Sequence, residues 1–404
     1  MTALQDGFFP RLARSEALLG LLEQAQALDV RRSLAADRLD ERDFLILLSP
    51  AAEPFLEETA QRAREETIRH FGRTVQLFTP LYLANVCTNR CVYCGFNARR
   101  GVARRVLTLE QVAEEAEAIA ATGLRRILAL TGDAPARTGA DYLAACVEVL
   151  ARRFTSVGIE VPSMTVEEYS RVREAGADGM TMFQETYNET LYSSLHPAGP
   201  KRNFAFRLDA PQRAILGGMR SINLGALLGL DDWRRDIFFT GLHADFLQRR
   251  YPEQEISVSL PRLRPCGALS RSPEELAFTP RPVQDRHFVQ ALVALRCFLP
   301  QAGITLSTRE SASLRDRLIP LGVTRVSAGV STAVGGHAAE ESKENGASQF
   351  DISDPRSVDE MVAAIEALGY QPVFTDWLLP GRDDLPPGIR AALGQDNFYY
   401  SDFR

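Results

Sequence analysis

The sequence has no long apolar run. No stretch of its 404 residues approaches the roughly 20 consecutive apolar residues that a membrane span needs. Its first residues, MTALQDGFFPRLARSEALLG, lack the basic-then-apolar order of a secretory signal. A net charge of −6 gives no reason to expect nucleic acid or an anionic membrane as partner. We interpret the arginine pairs Arg99–Arg100 and Arg104–Arg105 as solvated surface. These absences predict a cytoplasmic protein.

Histidine and cysteine are both scarce, with five and six residues. The histidines show no paired metal-ligand spacing, which predicts surface or core positions: His70, His196, His243, His287 and His337. In a reducing cytoplasm, clustered cysteines indicate metal binding or catalysis and scattered ones indicate core packing. Three cysteines are scattered, at positions 146, 266 and 297, and three are clustered, at positions 87, 91 and 94.

The sequence pattern divides the chain into three regions. Residues 1–75 are predicted to form a helical cap. Residues 76–335 contain short apolar runs that alternate with amphipathic helices, and residues 336–404 are predicted to form a loop, a helix and a tail. The predicted strands are PLYLANV (80–86), RILALTG (126–132), SVGIEVP (156–162), GMTMFQE (179–185), SINLGALLG (221–229), ISVSLP (256–261), ITLST (304–308) and RVSAG (325–329). Eight strands alternating with helices predict an α/β fold, a (β/α)₈ TIM-type barrel, with an open doubly wound sheet as the alternative.

The segment NVCTNRCVYCGFN follows the first predicted strand and contains all three clustered cysteines, Cys87, Cys91 and Cys94. Three thiolates within eight residues suit zinc or iron–sulfur ligation. A structural zinc site needs a fourth ligand at short spacing, and the next cysteine is distant. An iron–sulfur cluster on three cysteines instead leaves one iron free for another ligand, which is the arrangement of a catalytic centre. Simple core packing of the three cysteines is the competing interpretation.

Polar residues follow several other strands, where the active site of a barrel lies. Thr131, Gly132 and Asp133 end the second strand, and an ordinary turn is their alternative interpretation. Glu185 and Tyr187 end the fourth strand, where a buried carboxylate needs a partner.

Three further positions could bind carboxylates. Arg207 is one, with a surface ion pair as the alternative. Arg309 and Ser327, at the ends of strands seven and eight, form a potential clamp, because a guanidinium binds a carboxylate with two hydrogen bonds. A structural pair of Arg309 with Glu310 or an aspartate is the competing interpretation.

The cysteine motif resembles the signature of the radical S-adenosylmethionine (SAM) superfamily, Cys-x₃-Cys-x-aromatic-Cys, with Tyr93 as the aromatic residue. The resemblance implies a [4Fe–4S] cluster on Cys87, Cys91 and Cys94 whose free iron binds SAM. Reductive cleavage of SAM then yields a 5′-deoxyadenosyl radical, and the protein contributes binding and orientation.

Longer strings sharpen this resemblance: LYLANVCTNRCVYCGFN, LTGD, FQETY, NLGALLGL, SLPRLRPC, STRES and RVSAG, in this order, are similar to the aromatic amino-acid lyase branch, above all to the tyrosine lyases of thiamine biosynthesis. The resemblance implies cleavage of the Cα–Cβ bond of L-tyrosine to 2-iminoacetate (dehydroglycine) and p-cresol. It further implies transfer of the imine to thiazole synthase, with flavodoxin or ferredoxin as electron donor.

By the same resemblance, one set of residues surrounds SAM: Tyr93, Thr131, Gly132, Asp133, Glu185, Tyr187 and Arg207. Arg309 and Ser327 anchor the tyrosine carboxylate. Two departures stand out: Asp133 occupies a position where the family usually has glutamate, and the tail after Trp377 does not follow the family pattern.

Three alternatives stay open from the sequence. A tyrosine lyase that matures [FeFe]-hydrogenase needs additional C-terminal cysteines, and this sequence has none after Cys297. A lyase for tryptophan or another aromatic amino acid presents the same α-amino-acid head to the site. A non-catalytic iron–sulfur scaffold or electron carrier normally uses four cysteines.

Overall fold

The fold is that of a computed structural model, which describes residues 7–264, 277–338 and 349–374. Cys266 and the tail after Trp377, both noted in the sequence, lie outside the described residues. No helix in the described part of the chain combines the length and apolarity needed to cross a bilayer.

Eight parallel strands form a closed barrel. Each strand pairs with its neighbours in chain order, and β1 pairs with both β2 and β8, so the sheet has no open edge between first and last strand. The barrel prediction is confirmed and the open doubly wound sheet is excluded. The strands are β1 (Thr74–Ala84), β2 (Arg126–Thr131), β3 (Ser156–Glu160), β4 (Gly179–Glu185), β5 (Ser221–Ala226), β6 (Glu255–Ser259), β7 (Gly303–Leu306) and β8 (Arg325–Ser327).

Strand β1 differs most from its prediction, because it begins at Thr74 rather than Pro80. Its eleven residues serve three neighbours: residues 79–84 pair with β2, residues 76–78 with β8 and residues 74–76 with a ninth strand, β9 (Gln371–Val373). Strand β9, which was not predicted, has three residues and lies beside the barrel rather than in it.

The helices alternate with the strands as the amphipathic patterns predicted. They are α1 (Phe9–Ser15), α2 (Leu21–Gln24), α3 (Ala27–Ala35), α4 (Glu41–Leu48), α5 (Leu56–Phe71), α6 (Leu109–Ala121), α7 (Pro135–Thr138), α8 (Ala140–Leu150), α9 (Val166–Glu174), α10 (Glu189–Leu195), α11 (Phe204–Leu208), α12 (Ala210–Leu216), α13 (Trp233–Arg250), α14 (Asp285–Phe298), α15 (Ala312–Leu318) and α16 (Val358–Ala367). Thr108, Thr165 and Ser357 cap α6, α9 and α16 in capping boxes, which fix where these helices begin.

The N-terminal helices pack on the outside of the barrel. Helices α4 and α5 contact α14, and the Phe44 ring stacks on Phe298 with centroids 4.4 Å apart. The Gln290 amide donates to the carbonyl oxygens of Leu47 and Ser49 at 3.0 and 2.9 Å. Their buried side chains belong to the same apolar core as the barrel helices. The N-terminal region is therefore integral to the barrel.

A buried ion pair holds the segment after β8 against the barrel. The Arg315 guanidinium contacts the Asp354 carboxylate, and both side chains are at most 1% exposed. Arg315 also donates to the carbonyl oxygen of Ser327 at 2.5 Å. This pair fixes the backbone at the end of β8, where a predicted substrate residue lies.

Candidate active site at the carboxyl end of the barrel

The three clustered cysteines lie on a loop that leaves the end of β1. Cys91 is buried, while Cys87 and Cys94 are half-buried. Burial raises the pKa of the Cys91 thiol, the nearby Lys201 ammonium opposes this, and the Cys94 and Cys87 thiols add to it. The three thiols and one cation therefore share one neighbourhood.

Within the described residues, no group of three or more His, Cys, Asp or Glu side chains is placed to hold a single metal ion. A [4Fe–4S] cluster does not require this, since each cysteine binds a different iron.

Arg104 holds this loop in shape from within. Its guanidinium donates to the carbonyl oxygens of Asn85, Phe96 and Asn97 at 2.7, 3.0 and 2.6 Å, and to that of Arg100 at 3.3 Å. The interpretation of the arginine pairs as solvated surface was therefore wrong for Arg104, and it was also wrong for Arg100, which is buried. A guanidinium has enough donors to satisfy several carbonyls that a tight loop leaves unpaired.

The end of β2 lies directly against the cysteine loop. A Cβ on Gly132 would come within 2.3 Å of the Val86 carbonyl oxygen, so only glycine permits this approach. The Asp133 carboxylate accepts from the Asn89 amide at 2.7 Å through one oxygen. Its other oxygen and the Thr131 hydroxyl are buried, and neither has a hydrogen-bond partner within residues 7–264, 277–338 and 349–374. Two unpartnered polar atoms beside the cysteines fit a ligand that carries an ammonium group and hydroxyls, as SAM does.

Glu185 ends β4 in an unusual conformation, at a φ of 74° where the pairing with β5 shifts register. Its carboxylate oxygen lies 2.5 Å from the Lys201 ammonium and 3.4 Å from the Arg207 guanidinium. Arg207 also donates to the Phe183 carbonyl oxygen at 2.7 Å. The carboxylate that the sequence left without a partner is thus paired with two cations.

Tyr93, the aromatic residue of the cysteine motif, is held by a buried histidine. His196 Nδ1 lies 2.8 Å from the Tyr192 carbonyl oxygen and can only donate to it. Burial lowers the pKa of His196 well below its usual value, so the ring is neutral and its Nε2 accepts from the Tyr93 hydroxyl at 2.7 Å. His196, predicted as an ordinary surface or core histidine, therefore orients a residue of the site.

Tyr187 is not brought to the other predicted site residues. Its ring is fully buried among Phe8, Phe239 and His243, and its hydroxyl lies 3.1 Å from His243 Nδ1. Its backbone N–H donates to the Asp236 carboxylate at 2.9 Å. Tyr187 supports the end of β4 from the core side and lines neither cavity of the site.

Two adjoining cavities occupy the mouth and upper interior of the barrel. The outer one, about 500 Å³, is lined by Tyr93, Cys94, Glu185 and Lys201. The inner one, about 630 Å³ including space open to solvent, lies against the apolar side chains Phe78, Leu128 and Leu130 and the polar side chains Thr181, Asn223, Ser259 and Thr305. Both cavities share the lining residues Glu160, Phe183, Pro261, Arg309, Gln349 and Phe350, so they are continuous.

Arg309 and Ser327 both line the inner cavity. The Ser327 hydroxyl is buried and has no hydrogen-bond partner in the part of the chain that the structure describes. Arg309 stacks on Phe350, with its guanidinium carbon 3.5 Å from the ring centroid. Glu310 is instead paired with Arg262 and Arg264, so the structural Arg309–Glu310 pair is excluded. Arg309 and Ser327 are thus available to a ligand in this cavity.

Lys201 and Glu160 lie in the site but were not predicted from the sequence. Lys201 reaches Glu185 because Gly199, at a φ of 98°, lets the chain pass against Asn89, whose amide oxygen accepts from the Lys201 N–H at 3.0 Å. No local motif signals this approach. Glu160 is the last residue of β3, so the rule that directed attention to the ends of strands two and four also applied to it.

Two families match the chain. Residues 81–239 match the radical SAM superfamily, and residues 259–371 match the Biotin and Thiamin Synthesis associated domain. The first match spans the cysteine loop and the strands through β5, and the second spans the end of β6 to β9. Both cavities are lined from both matched regions.

The chain is similar to named proteins over most of its length. It is 40% identical to the 2-iminoacetate synthase of Escherichia coli (strain K12) over 353 residues, which cover 87% of this chain and 91% of that protein. HydG, a maturase of the [FeFe]-hydrogenase, has a solved structure with a TM-score of 0.82 and 28% identity, covering 90% of this chain and 80% of that one. HydG from Carboxydothermus hydrogenoformans gives a TM-score of 0.77 and 29% identity, with 91% and 83% coverage.

Proposed function

Because the chain belongs to the 2-iminoacetate synthase family of the radical SAM superfamily, we propose that its two cavities hold SAM beside the cysteine loop and L-tyrosine inside the barrel. The enzyme is a radical SAM carbon–carbon lyase. It cleaves the Cα–Cβ bond of L-tyrosine to 2-iminoacetate and p-cresol.

Cys87, Cys91 and Cys94 hold the [4Fe–4S] cluster in this proposal. Bound together, the cluster and SAM supply a 5′-deoxyadenosyl radical that removes a hydrogen atom from the substrate amino group. The protein's part is to fix the loop, which Arg104 does through four carbonyl oxygens, and to leave an unpartnered face toward the incoming cofactor.

SAM binds between the ends of β2 and β4. Gly132 brings the backbone close to the cysteine loop, and the free oxygen of Asp133 receives the SAM ammonium group. Lys201 and Arg207 place positive charge beside Glu185. The SAM carboxylate can therefore accept hydrogen bonds from the two cations, and the SAM ribose hydroxyls can donate to Glu185. Tyr93 contacts the cofactor from the loop itself, and His196 keeps its ring in place.

Tyrosine binds in the inner cavity, and the observation that carries this is that Arg309 and the Ser327 hydroxyl, which has no hydrogen-bond partner among the described residues, both line its wall. A carboxylate held by both satisfies the hydroxyl and neutralises the guanidinium. The apolar side chains Phe78, Leu128 and Leu130 take the ring. Clamping the carboxylate fixes the amino group relative to the cofactor, and such positioning decides which hydrogen is removed.

The product belongs to thiamine biosynthesis, which the match to the Biotin and Thiamin Synthesis associated domain supports. The imine passes to thiazole synthase, and flavodoxin or ferredoxin supplies the electron. An imine hydrolyses in water, so transfer to a docked partner protects it.

The test is an anaerobic incubation of the reconstituted, dithionite-reduced protein with SAM and L-tyrosine, with L-tryptophan in parallel. Products are separated by liquid chromatography and identified by mass spectrometry. Tyrosine-dependent 5′-deoxyadenosine together with p-cresol and glyoxylate, the hydrolysis product of the imine, supports the proposal. Deoxyadenosine without p-cresol rejects tyrosine as substrate, and 3-methylindole formed from tryptophan identifies that amino acid as substrate. Absence of SAM cleavage with a full cluster rejects the mechanism.

A further inference from the structure

Glu160 is a carboxylate with no assigned task at the centre of the site. It ends β3 and lines both the outer and the inner cavity. Within the described residues it forms no hydrogen bond and no ion pair. Its carboxylate oxygens are not fully buried, so they are accessible from the cavity. Burying half of a carboxylate without a protein partner is costly, and a cationic ligand group in the cavity removes that cost.

The cations around Glu160 differ in whether a carboxylate of the described residues already pairs with them. The groups that act on it are Arg309, Glu185, Arg207 and Lys201, of which Arg309 has the strongest influence. Lys201 and Arg207 are both committed to Glu185. Arg309 has no carboxylate partner among the described residues, and it lines the same two cavities as Glu160.

Tyr82 also lies within electrostatic reach of Glu160, and its hydroxyl group donates to the Gln349 side-chain oxygen at 2.7 Å.

Among the described residues, Arg309 stacks on Phe350 and donates to the Arg262 carbonyl oxygen at 3.4 Å but pairs with no carboxylate, and Glu160 pairs with no cation. A guanidinium and a carboxylate that line a common cavity match the head of an α-amino acid, which carries a carboxylate and an ammonium group on the same carbon. Resting on the proposed function, we infer that Glu160 receives the ammonium group of bound tyrosine and takes one proton from it, while Arg309 and Ser327 hold the carboxylate. Glu160 thereby becomes the base that prepares the amino group for the reaction.

The proton transfer balances without any further reactant. One N–H bond of the ammonium group breaks, one O–H bond forms on the Glu160 carboxylate, and no electrons are exchanged. The neutral amine is the form from which a hydrogen atom is removed, because the ammonium group lacks the lone pair that stabilises a nitrogen-centred radical. Burial raises the pKa of Glu160 to about 7, with Arg309 opposing and Glu185 adding to the rise. A base works best when its pKa lies near the working pH.

Three variants test this inference in the reconstituted full-length enzyme. Glu160→Gln removes the base and keeps the shape, Glu160→Asp keeps the acid, and Glu148→Gln makes the same change on the exposed face of α8 as a control. Binding is measured for L-tyrosine, for 3-(4-hydroxyphenyl)propionate, which lacks the amino group, and for SAM.

We expect Glu160→Gln to weaken tyrosine binding by about 10- to 100-fold, the loss typical of a hydrogen bond to a charged group. Affinity for SAM and for the amino-free analogue stays within about 2-fold, since neither uses this contact in the proposed arrangement. The kcat/KM for tyrosine cleavage by the parent enzyme falls on the acid side with an apparent pKa near 7, and that limb disappears in Glu160→Gln. Glu160→Asp restores part of the rate, and Glu148→Gln behaves as the parent.

Other outcomes overturn the inference. Loss of SAM affinity in Glu160→Gln assigns the carboxylate to the cofactor instead, and equal loss for tyrosine and for its amino-free analogue shows a structural role. Unchanged tyrosine binding rejects the contact. These results are separate from a failure of the proposed function, in which the parent enzyme itself binds or cleaves no tyrosine.

Discussion

The ammonium nitrogen of Lys201 lies 2.5 Å from a carboxylate oxygen of Glu185, and both side chains are nearly enclosed. This contact joins the turn after α10 to the distorted end of β4. Replacing Lys201 by methionine keeps the side-chain length and removes the charge, so that among the described residues Glu185 retains only Arg207 as an ion-pair partner, at 3.4 Å. We expect Lys201→Met to lose on the order of 2 kcal/mol of unfolding free energy, because breaking a buried pair leaves a charge poorly compensated.

Denaturant unfolding of the cluster-free protein measures this loss without interference from iron. Lys201→Arg is the matched control, and it should retain most of the stability. If Lys201→Met proves as stable as the parent, the pair does not hold the two segments together.

Gly132 gives a second prediction, which concerns cluster incorporation. An alanine Cβ there would lie 2.3 Å from the Val86 carbonyl oxygen, and neither backbone can yield cheaply. Gly132→Ala should therefore push the cysteine loop away from β2 and lower the iron and sulfide bound after reconstitution. Gly101→Ala, in the same loop region but with open space around the position, should incorporate the cluster normally. Equal iron content in the two variants would contradict this reading of the contact.

The cysteines divide by environment, which predicts different responses to alanine. Replacing Cys87, Cys91 or Cys94 should abolish the cluster absorbance and all SAM cleavage, because each supplies one thiolate. Cys146→Ala should keep both, since that side chain is fully buried on α8, where burial raises the pKa of its thiol to about 11. Absorbance spectra with iron analysis decide the matter, and a Cys146 variant without a cluster would refute the assignment.

Asp236 predicts a pH dependence of stability. Burial raises the pKa of this carboxyl to about 8, although the Tyr187 N–H and the Thr186 hydroxyl donate to it. A raised pKa means that the folded state holds a proton that the unfolded chain releases at a lower pH. The parent therefore loses stability as the pH rises from about 4 toward 8, on the order of 1 kcal/mol per pH unit.

Asp236→Asn keeps the acceptor oxygen and cannot ionise, so its stability relative to the parent should rise across this window and level off above it. Urea unfolding at several pH values follows the difference, with the exposed Asp37→Asn as control. A difference that does not change with pH would show that Asp236 is charged throughout.

The barrel could be predicted because its signals are local. A buried strand such as β4 is a short apolar run, and it was predicted with its observed bounds, Gly179–Glu185. Helix starts at Thr108, Thr165 and Ser357 follow from side chains that cap their own helices. The early start of β1 was not predictable in this way, because its first residues are strand only through pairing with β8 and β9.

The candidate site was predictable where a motif or a strand end marks it, and not where distant segments meet. The cysteine loop and the residues at the ends of β2, β4 and β8 could be named in advance. Lys201 could not, because its place depends on Gly199 turning the chain against Asn89. Arg104 was misjudged, since four carbonyl acceptors within a loop leave no trace in the sequence.

Those four acceptors all depend on one guanidinium, so a single side chain sets the course of the loop that carries the three cysteines. Part of the ordering cost of the loop is thereby offset by hydrogen bonds of the polypeptide itself. Shortening that side chain would release carbonyl groups of four residues at once, and the spacing of the three thiols would change with them.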